Sequence, residues 1–516
     1  MSDTSVLAEL PFFSASDDEL LGVAEEDLLL DGFQNQKFPR DGFVSFHSLK
    51  ICCSNAKQMA RFLELTMGFK QVAYRGLEND SRFIASHVVS NGDVVFELVN
   101  TLGFAEDVSA PPTVENPHLD PIRDEAVHDF NAVISDFVHK VVEVHVGENE
   151  FSDFSKAIEE AVGASRVKRS QIKYYSELLN DIASGISATI HDMIVQKIIQ
   201  FFVSKHGDGV FVISLWVQDV DLIYQKAVSE GAVAIFKPRI LNDENGSLKL
   251  ATVRLPSTDM CHTLIENIDY SGPFIPGYVG HIEEESVEYT EQLSQLPAVN
   301  LCRIDHCVQN YTWNQMMDKA RLYTRIFGLH KYWSVDETDV ATENTALRSI
   351  VMASSNGRIK IPINEPFKGK KRGQIEEFYD FNGGPGVQHV ALSTTNIIST
   401  VGSLIQRGIT FNTMKDEYYD ELRERLHHDD IVLKEDLSEL QRLNILVDYD
   451  SSSRRKKDKG CNYILQIFTK PLHDRPTLFI EIIQRHHHNG FGKGTFKGLF
   501  KSIEEQQEKR GTLVDI

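Results

Sequence analysis

Apolar and polar residues follow the same pattern in two distant parts of the chain. Residues 207–232 and residues 384–409 each begin with Gly and Val, continue as an alternating apolar strand and a short amphipathic helix, and end near a glycine. Gly209 and Gly231 of the first span are 22 residues apart, as are Gly386 and Gly408 of the second. This self-similarity predicts two copies of one structural module.

Flanking segments extend the repeat, because residues 43–69 match 302–329 and residues 262–268 match 477–483. The alignment sets three residues of the first copy opposite three of the second: His47 and His306, Val212 and His389, Glu266 and Glu481. Strands and helices occur in mixed order, and neither copy has a glycine loop that would hold a phosphate. The pattern predicts an α+β fold, not a doubly wound sheet.

These boundaries divide the chain into four parts. We predict an acidic N-terminal extension (1–39), a non-catalytic first module (40–279), an acidic linker (280–296) and a catalytic second module (297–516). An insert at about 103–203 has no counterpart in the second copy. Two apolar runs in it have helical spacing: Phe151, Phe154, Ile158 and Val162, and then Ile190, Met193, Ile194 and Ile198. We expect helices packed on the first module; the alternative is a regulatory or partner-binding device.

Composition and charge exclude several classes of protein. The 516 residues are 41% hydrophobic and 25% charged, which is typical of a globular protein. A net charge of −22 without a basic stripe argues against nucleic-acid binding. Six cysteines without CxxC spacing favour a reducing, cytoplasmic location, and no apolar run is long enough to predict a membrane span. An anionic substrate would therefore need a local positive centre.

The three aligned positions differ in chemistry between the two copies. Two imidazoles and one carboxylate, as in His306, His389 and Glu481, match the donor set that holds non-haem Fe(II) and leaves positions open for substrate and O2. Spacings of 83 and 92 residues are not a local metal motif, so the repeat carries the argument. Glu481 also interrupts an apolar strand, where a bound cation would offset its charge. The alternative is an ion pair with Arg475 or Arg485.

Longer segments carry a specific resemblance. RIDHCVQN, LRSIVMAS, IPINEP, GGPGVQHVAL, LQIFTKPLHDRPTLFIEIIQR and GFGKGTFKGLFKSIEE closely resemble the 4-hydroxyphenylpyruvate dioxygenase family of the vicinal oxygen chelate superfamily. The match runs from about residue 40 to 510, apart from the insert and a lengthened basic loop (451–460). The resemblance implies two tandem open β-barrel modules with helices outside, and Fe(II) held by the three residues of the second copy. It also implies a homodimer that acts in tyrosine and phenylalanine catabolism on a small 2-oxo acid and O2, giving homogentisate.

The resemblance extends to residues around the iron. It implies polar contacts to the substrate or its intermediates from Ser349, Asn364, Gln374, Gln388 and Gln466. It implies substrate-binding roles for Pro362, Phe468, Phe479, Phe491 and Phe496. Strand alternation sets Gln466 and Phe468 on one face, whereas Gln388 is expected on the face opposite to His389.

The C-terminal segment combines glycines with a helical apolar pattern. Gly490, Gly492 and Gly494 precede Phe496, Leu499 and Phe500, which indicates a flexible hinge followed by an amphipathic helix. We expect this helix to close over the cavity and exclude water. Thr495 stands where the resembled family more usually has Asn.

Other functions stay open at this stage. A hydroxymandelate synthase-like dioxygenase would use the same iron and substrate but hydroxylate the benzylic carbon. The fold also suits a metal-dependent isomerase, or a binding module without turnover.

Overall fold

The computed structural model describes residues 40–79, 81–103, 188–280, 287–335 and 341–515. In chain order, the first part contains β1 (Phe43–Cys52), α1 (Ala56–Met67), β2 (Lys70–Arg75), β3 (Ile84–Asn91), β4 (Val94–Thr101), α2 (Ala188–His206), β5 (Gly209–Val217), α3 (Val220–Ser229), β6 (Val233–Asp243), β7 (Gly246–Arg254), β8 (Cys261–Asn267), β9 (Val279–Gly280) and α4 (Val287–Gln295).

The second part has the same order of strands and helices, with two additional helices after its third helix and one at its end. It contains β10 (Ile304–Asn310), α5 (Met316–Phe327), β11 (His330–Val335), β12 (Ala346–Ala353), β13 (Lys360–Phe367), α6 (Gln374–Asn382), β14 (Gly386–Ser393), α7 (Ile397–Gln406), α8 (Asp416–His428), α9 (Leu437–Arg442), β15 (Leu446–Asp450), β16 (Asn462–Phe468), β17 (Phe479–His486) and α10 (Phe496–Arg510). Two short 3₁₀ turns, Leu77–Asn79 and Ser451–Ser453, complete the described elements.

The two sheets have the same topology. The second has the strand order β11-β12-β13-β10-β14-β17-β16-β15, and the first, read from β2, has β2-β3-β4-β1-β5-β8-β7-β6 with β9 added beyond β2. Each is a curled, open sheet with helices on its outside, so the predicted α+β fold of two tandem modules is confirmed.

Two compact units divide the chain. The larger comprises Met1–Tyr74, His87–Leu98 and Lys205–Ile516, and the smaller comprises Arg75–Ser86 and Val99–Ser204. The second module therefore lies entirely in the larger unit. Within the described chain, no helix is both long and apolar enough to cross a bilayer.

The smaller unit contains the described part of the predicted insert. Its second apolar run (190–198) lies in α2, as the helical spacing predicts, whereas the first run (151–162) lies outside the described residues. Arg75 binds Asp192 of α2 through two hydrogen bonds of 2.8 and 2.6 Å. This bidentate pair attaches α2 to the end of β2.

Strand registers revise the alignment of His306. β5 and β14 are equivalent strands in which Ser214 and Ala391 occupy the same position, two residues after Val212 and His389. Ser214 lies opposite Ser48 of β1, and Ala391 lies opposite His306 of β10. The first-module counterpart of His306 is thus Ser48 and not His47.

The same positions revise the alignment of Glu481. On its other side, Ala391 lies opposite Glu481 and Ser214 lies opposite Thr263. Glu266 instead corresponds to Gln484, since each accepts a hydrogen bond from the first backbone N–H of the helix that follows the central strand, at 2.9 and 2.7 Å. The sequence alignment of Glu266 with Glu481 was wrong by three residues. Both β8 and β17 are apolar around their glutamate, so the sequence pattern alone does not fix the alignment.

The turn between β3 and β4 fastens the first module to the second. The Asn91 amide donates to the Val299 carbonyl at 2.9 Å, and the Asp93 N–H donates to the Cys302 carbonyl at 2.7 Å. Gly92 has a φ of +58°, and a Cβ on it would lie 2.2 Å from the carbonyl oxygen of Leu301. Only glycine fits this close approach.

Replacing Gly92 with Ala should therefore destabilise the protein by about 3 kcal/mol, since backbone strain and a steric clash add together. Gly231→Ala is the matched control, because Gly231 has a φ of +97° but no atom within 4 Å of its added Cβ. The control should cost about 1 kcal/mol. Chemical unfolding of both variants measures the difference, and equal losses would show that the contact with Leu301 contributes nothing.

Candidate metal centre

Three adjacent strands of the second module bring two imidazoles and one carboxylate together. His306 lies on β10, His389 on β14 and Glu481 on β17, and their ligand atoms all lie within 4.8 Å of one another. The Nε2 atoms of His306 and His389 are 3.2 and 3.4 Å from the same carboxylate oxygen of Glu481. Among the described residues, this is the one group of three or more metal-binding side chains that converge in this way.

A β-bulge precedes each histidine, and the side chain of the bulge residue contacts the Nδ1 atom of the ring. In β10 the bulge falls on Asp305, whose carboxylate accepts from His306 Nδ1 at 2.7 Å. In β14 it falls on Gln388, whose amide oxygen is 3.3 Å from His389 Nδ1. With each Nδ1 engaged, each Nε2 is directed at the centre. The expectation that Gln388 faces away from His389 is wrong, because the extra residue of a bulge breaks strict alternation.

Burial and mutual attraction set the charges of the triad. Burial would raise the pKa of Glu481, but the neighbouring His306 and His389 outweigh it and lower the pKa to about 2. For His306, burial lowers the pKa, and Glu481 and Asp305 reverse this to a net rise. For His389, burial dominates and lowers the pKa. The centre therefore keeps a carboxylate in a buried site, where a cation is favoured.

The arginines that offered an alternative partner for Glu481 are engaged elsewhere. Arg485 binds both carboxylate oxygens of Asp305, at 2.9 and 2.8 Å. Arg475 donates to the backbone carbonyls of Lys205 and Phe381. The predicted alternative of an ion pair between Glu481 and either arginine is not what the structure shows.

One cavity of about 560 Å³, including its open side, adjoins the three side chains of the candidate metal centre. Eight other residues singled out in the sequence line it: Ser349, Pro362, Asn364, Gln374, Gln388, Phe468, Phe479 and Phe491. Leu499 and Phe500, which lie on the helix that the sequence predicts to close over the cavity, also line it, as do four residues that the sequence did not indicate: Val308, Trp333, Leu347 and Val351. A concave, largely apolar lining with a few polar groups is typical of sites that bind small organic ligands.

Strand alternation explains several of these positions. Ser349 of β12 lies opposite Asn364 of β13, and Val351 lies opposite Pro362, so all four point to the same face of the sheet. Counting two residues either way from a predicted site residue would have found Val308, Leu347 and Val351. Trp333 on β11 carries no such signal in the sequence.

The cavity has a polar side and an aromatic side. Gln374, the first residue of α6, accepts a hydrogen bond from the Gln388 amide at 3.2 Å. On the aromatic side, Phe479 stacks on the His389 ring with centroids 4.7 Å apart, and Phe468 meets the same ring edge-on at 5.8 Å. These rings form an apolar wall of the cavity beside the candidate metal centre.

The two remaining predicted residues are Gln466 and Phe496. Gln466 is not among the residues that line the cavity; its amide donates to the Thr495 hydroxyl at 3.0 Å, just before α10. The Thr495 hydroxyl in turn donates to the Gly492 carbonyl at 2.8 Å. Phe496 is the first residue of α10, but its side chain lies outside what the structure describes, so its contact with substrate stays a prediction.

The first module has no equivalent centre at the same three positions, which hold Ser48, Val212 and Thr263. The neighbouring His47 is buried between the rings of Trp216 and Phe274, at centroid distances of 4.5 and 5.2 Å. Burial lowers the pKa of His47 to about 3, so its imidazole is neutral. It acts as a packing residue.

Comparisons with known proteins agree with this geometry. Residues 303–430 match the family model described as the Glyoxalase/Bleomycin resistance protein/Dioxygenase superfamily. A 4-hydroxymandelate synthase variant from Streptomyces coelicolor has the same fold, with a TM-score of 0.60 and 20% identity over 90% of this chain and 99% of that one. Fold and site together define a two-module dioxygenase of the vicinal oxygen chelate type.

Sequence relatives identify the family more closely. The chain is 39% identical to the 4-hydroxyphenylpyruvate dioxygenase of Neurospora crassa, over 89% of this chain and 90% of that protein. It is 38% identical to the enzyme of the same name from Aspergillus fumigatus, over 89% and 92% of the two chains. The chain belongs to the 4-hydroxyphenylpyruvate dioxygenase family.

An acidic residue lies under the segment that leads into α10. The Asp448 carboxylate of β15 accepts a hydrogen bond from the Gly494 N–H at 3.1 Å. Burial dominates at this position and raises the pKa of Asp448 to about 6, although the Gly494 bond partly opposes the shift. The carboxylate is therefore destabilising in the folded protein at neutral pH.

Because the folded protein binds a proton at Asp448 more readily than the unfolded chain does, this group should raise the free energy of unfolding as the pH falls from about 7 to about 4. Asp448→Asn removes the charge but keeps an oxygen for Gly494. We expect the variant to be more stable than the wild type by about 1–3 kcal/mol at pH 8 and by about a third of that at pH 4.5. Urea unfolding at both values measures this; a pH-independent difference would contradict it.

Proposed function

We propose that this chain binds one Fe(II) through His306, His389 and Glu481 and converts 4-hydroxyphenylpyruvate and O2 to homogentisate and CO2. The observation that carries the proposal is the convergence of these three side chains at the end of an aromatic cavity, within 4.8 Å of one another. The names of the two sequence relatives give the substrate class.

The side chains fit the proposed ion. Both imidazoles present Nε2, and the single carboxylate leaves a divalent ion with a local charge of about +1, which suits an anionic 2-oxo acid in a chain of net charge −22. A bound Fe(II) would supply the Lewis-acid and redox chemistry that lets O2 react with such an acid. The protein's own contribution is to hold three ligands on one side and keep the other side open.

The cavity walls suit the rest of the substrate. Phe468 and Phe479 form a face against which a phenyl ring would pack, next to the ring of His389. Ser349, Asn364 and the Gln374–Gln388 pair offer hydroxyl and amide groups that would bind the phenol and its oxygenated product. In this proposal the polar groups fix the orientation of the ring, while the apolar face excludes water.

We assign α10 the role of a gate over this cavity. Leu499 and Phe500, from its first turns, line the cavity, while the far end of the helix is anchored by Arg510, which binds both oxygens of Glu377 at 2.9 and 2.8 Å. Gly492, with a φ of +87°, supports a hinge just before the helix. Opening at the hinge would admit substrate without releasing the anchored end.

The proposal also includes a cytoplasmic homodimer. All six cysteines are free, which suits a reducing compartment. Homodimerisation follows the family resemblance, and size-exclusion chromatography with light scattering tests it.

Formation of 4-hydroxymandelate is the second candidate reaction, because the structure shares its fold with a 4-hydroxymandelate synthase. Both reactions use the same substrate and would use the same three ligands, so the triad does not separate them. The relatives at 38–39% identity favour homogentisate.

Product identity tests the function directly. The protein is loaded with Fe(II) without oxygen, mixed with 4-hydroxyphenylpyruvate and then exposed to O2. We expect homogentisate and CO2 in equal amounts, with one O2 consumed per turnover. Chromatographic identification of hydroxymandelate would instead select the second reaction, and no product from the iron-loaded protein would exclude both.

The ligand assignment is tested by two histidine variants from equivalent parts of the two modules. His389→Ala should lower Fe(II) affinity at least 100-fold and abolish turnover, because one of three donors is lost. His47→Ala is the control, because His47 lies in the first module, whose three equivalent positions do not hold the histidines and carboxylate of the second. This variant should retain one Fe(II) per chain. Metal analysis after dialysis distinguishes them. Full iron content in the His389 variant would refute the assignment.

A further inference from the structure

Arg485, near the end of β17, links two parts of the candidate site. Its Nε and Nη2 donate to the two carboxylate oxygens of Asp305 at 2.9 and 2.8 Å. Its Nη1 donates to the backbone carbonyls of His488 and Gly490 at 3.0 and 2.7 Å. One guanidinium thus holds the bulge residue of β10 and the segment 488–491, which we call the hinge base.

Each of these partners contacts the same metal-binding residue. Asp305 accepts from His306 Nδ1 at 2.7 Å. Phe491, at the end of the hinge base, packs edge-on against the His306 ring at a centroid distance of 5.0 Å, and the Arg485 guanidinium lies 5.1 Å from the centroid of the Phe491 ring. A closed set of contacts therefore connects His306, Asp305, Arg485 and Phe491.

The chemistry of the guanidinium makes this set specific. Asp305 is buried, with 6% of its surface exposed, so leaving it without a cationic partner would be costly. The planar guanidinium can donate from Nε and Nη2 to a carboxylate and, at the same time, from Nη1 to two carbonyls. A lysine ammonium carries charge but cannot reach four acceptors in these directions.

We propose that Arg485 is a positioning residue that couples the orientation of the His306 ring to the conformation of the hinge base, so that metal binding and closure of the segment before α10 stabilise each other. The inference rests on the metal site proposed above. Such coupling is reciprocal: if a bound metal orders the hinge base, an ordered hinge base must strengthen metal binding by the same factor.

Arg485→Lys tests the coupling, with Fe(II) added without oxygen or substrate as the probe. In the wild type, Fe(II) should slow amide hydrogen exchange in residues 488–494 several-fold. In the variant, Fe(II) Kd should rise about tenfold, in the range seen when groups behind a metal ligand are lost. Exchange in these residues should be faster without metal, and Fe(II) at saturation should no longer slow it.

Asp305→Asn changes the contact of Arg485 with Asp305 but not its contacts with the hinge base. This variant tests the coupling if Arg485→Lys does not fold. The amide can keep an oxygen for His306 Nδ1, but it removes the negative charge and sets an NH2 donor against the Arg485 Nε–H, while the bonds from Arg485 to the two hinge-base carbonyls remain. Fe(II) Kd should again rise about tenfold. Exchange in 488–494 without metal should stay at the wild-type rate, and its response to Fe(II) should be lost.

Arg75→Lys is the matched control, because Arg75 also makes two hydrogen bonds to a buried aspartate, Asp192. It should change neither Fe(II) affinity nor the exchange of 488–494. If the wild type binds Fe(II) but Arg485→Lys or Asp305→Asn keeps its affinity within twofold and its exchange response, the coupling is refuted and the metal site stands. If the wild type binds no Fe(II), both proposals fail.

Discussion

A buried carboxylate between two imidazoles is the constraint on which the second module depends. Glu481 is 3% exposed, and an isolated charge at such depth would be expelled or neutralised. The fold keeps it ionised by bringing His306 and His389 onto it from two neighbouring strands. A bulge before each histidine turns a polar side chain towards its Nδ1, which leaves both Nε2 atoms directed at Glu481. Backbone irregularity, and not a loop, therefore sets the geometry of this centre.

Much of this arrangement could be predicted from sequence. The internal repeat indicated two α+β modules, and hydrophobic periodicity located α2 and the start of α10. Alternation of side chains failed where strands are irregular, so Gln388 was assigned to the wrong face. Alternation also could not fix the register between the two modules. His47 and Glu266 were aligned one and three residues from the true counterparts of His306 and Glu481. Where a strand is apolar on both faces, several alignments shifted by a few residues bury equally many apolar side chains.

The cavity residues also divide into those that the sequence could predict and those that it could not. Those on strands that also carry a ligand or a polar neighbour follow from counting by two, as Val308 does from His306. Trp333 approaches from an edge strand, and its place at the cavity depends on tertiary packing, whereas Phe500 lies on the terminal helix that was expected to cover the cavity. Gln466 shows the converse, since its position on the strand is regular but its amide binds Thr495 instead of facing the cavity.

The two bulges occur in both modules. In β1 the pairing skips the residue between Phe46 and Ser48, as the pairing of β10 skips Asp305. In β5 it skips the residue opposite the junction of Lys50 and Ile51, as the pairing of β14 skips Gln388. The first module thus retains the backbone of a metal centre without the side chains. Side-chain substitutions at the three positions would therefore set a ligand group on strands that already have the required backbone, which gives evolution, or a protein engineer, a second scaffold for a metal centre.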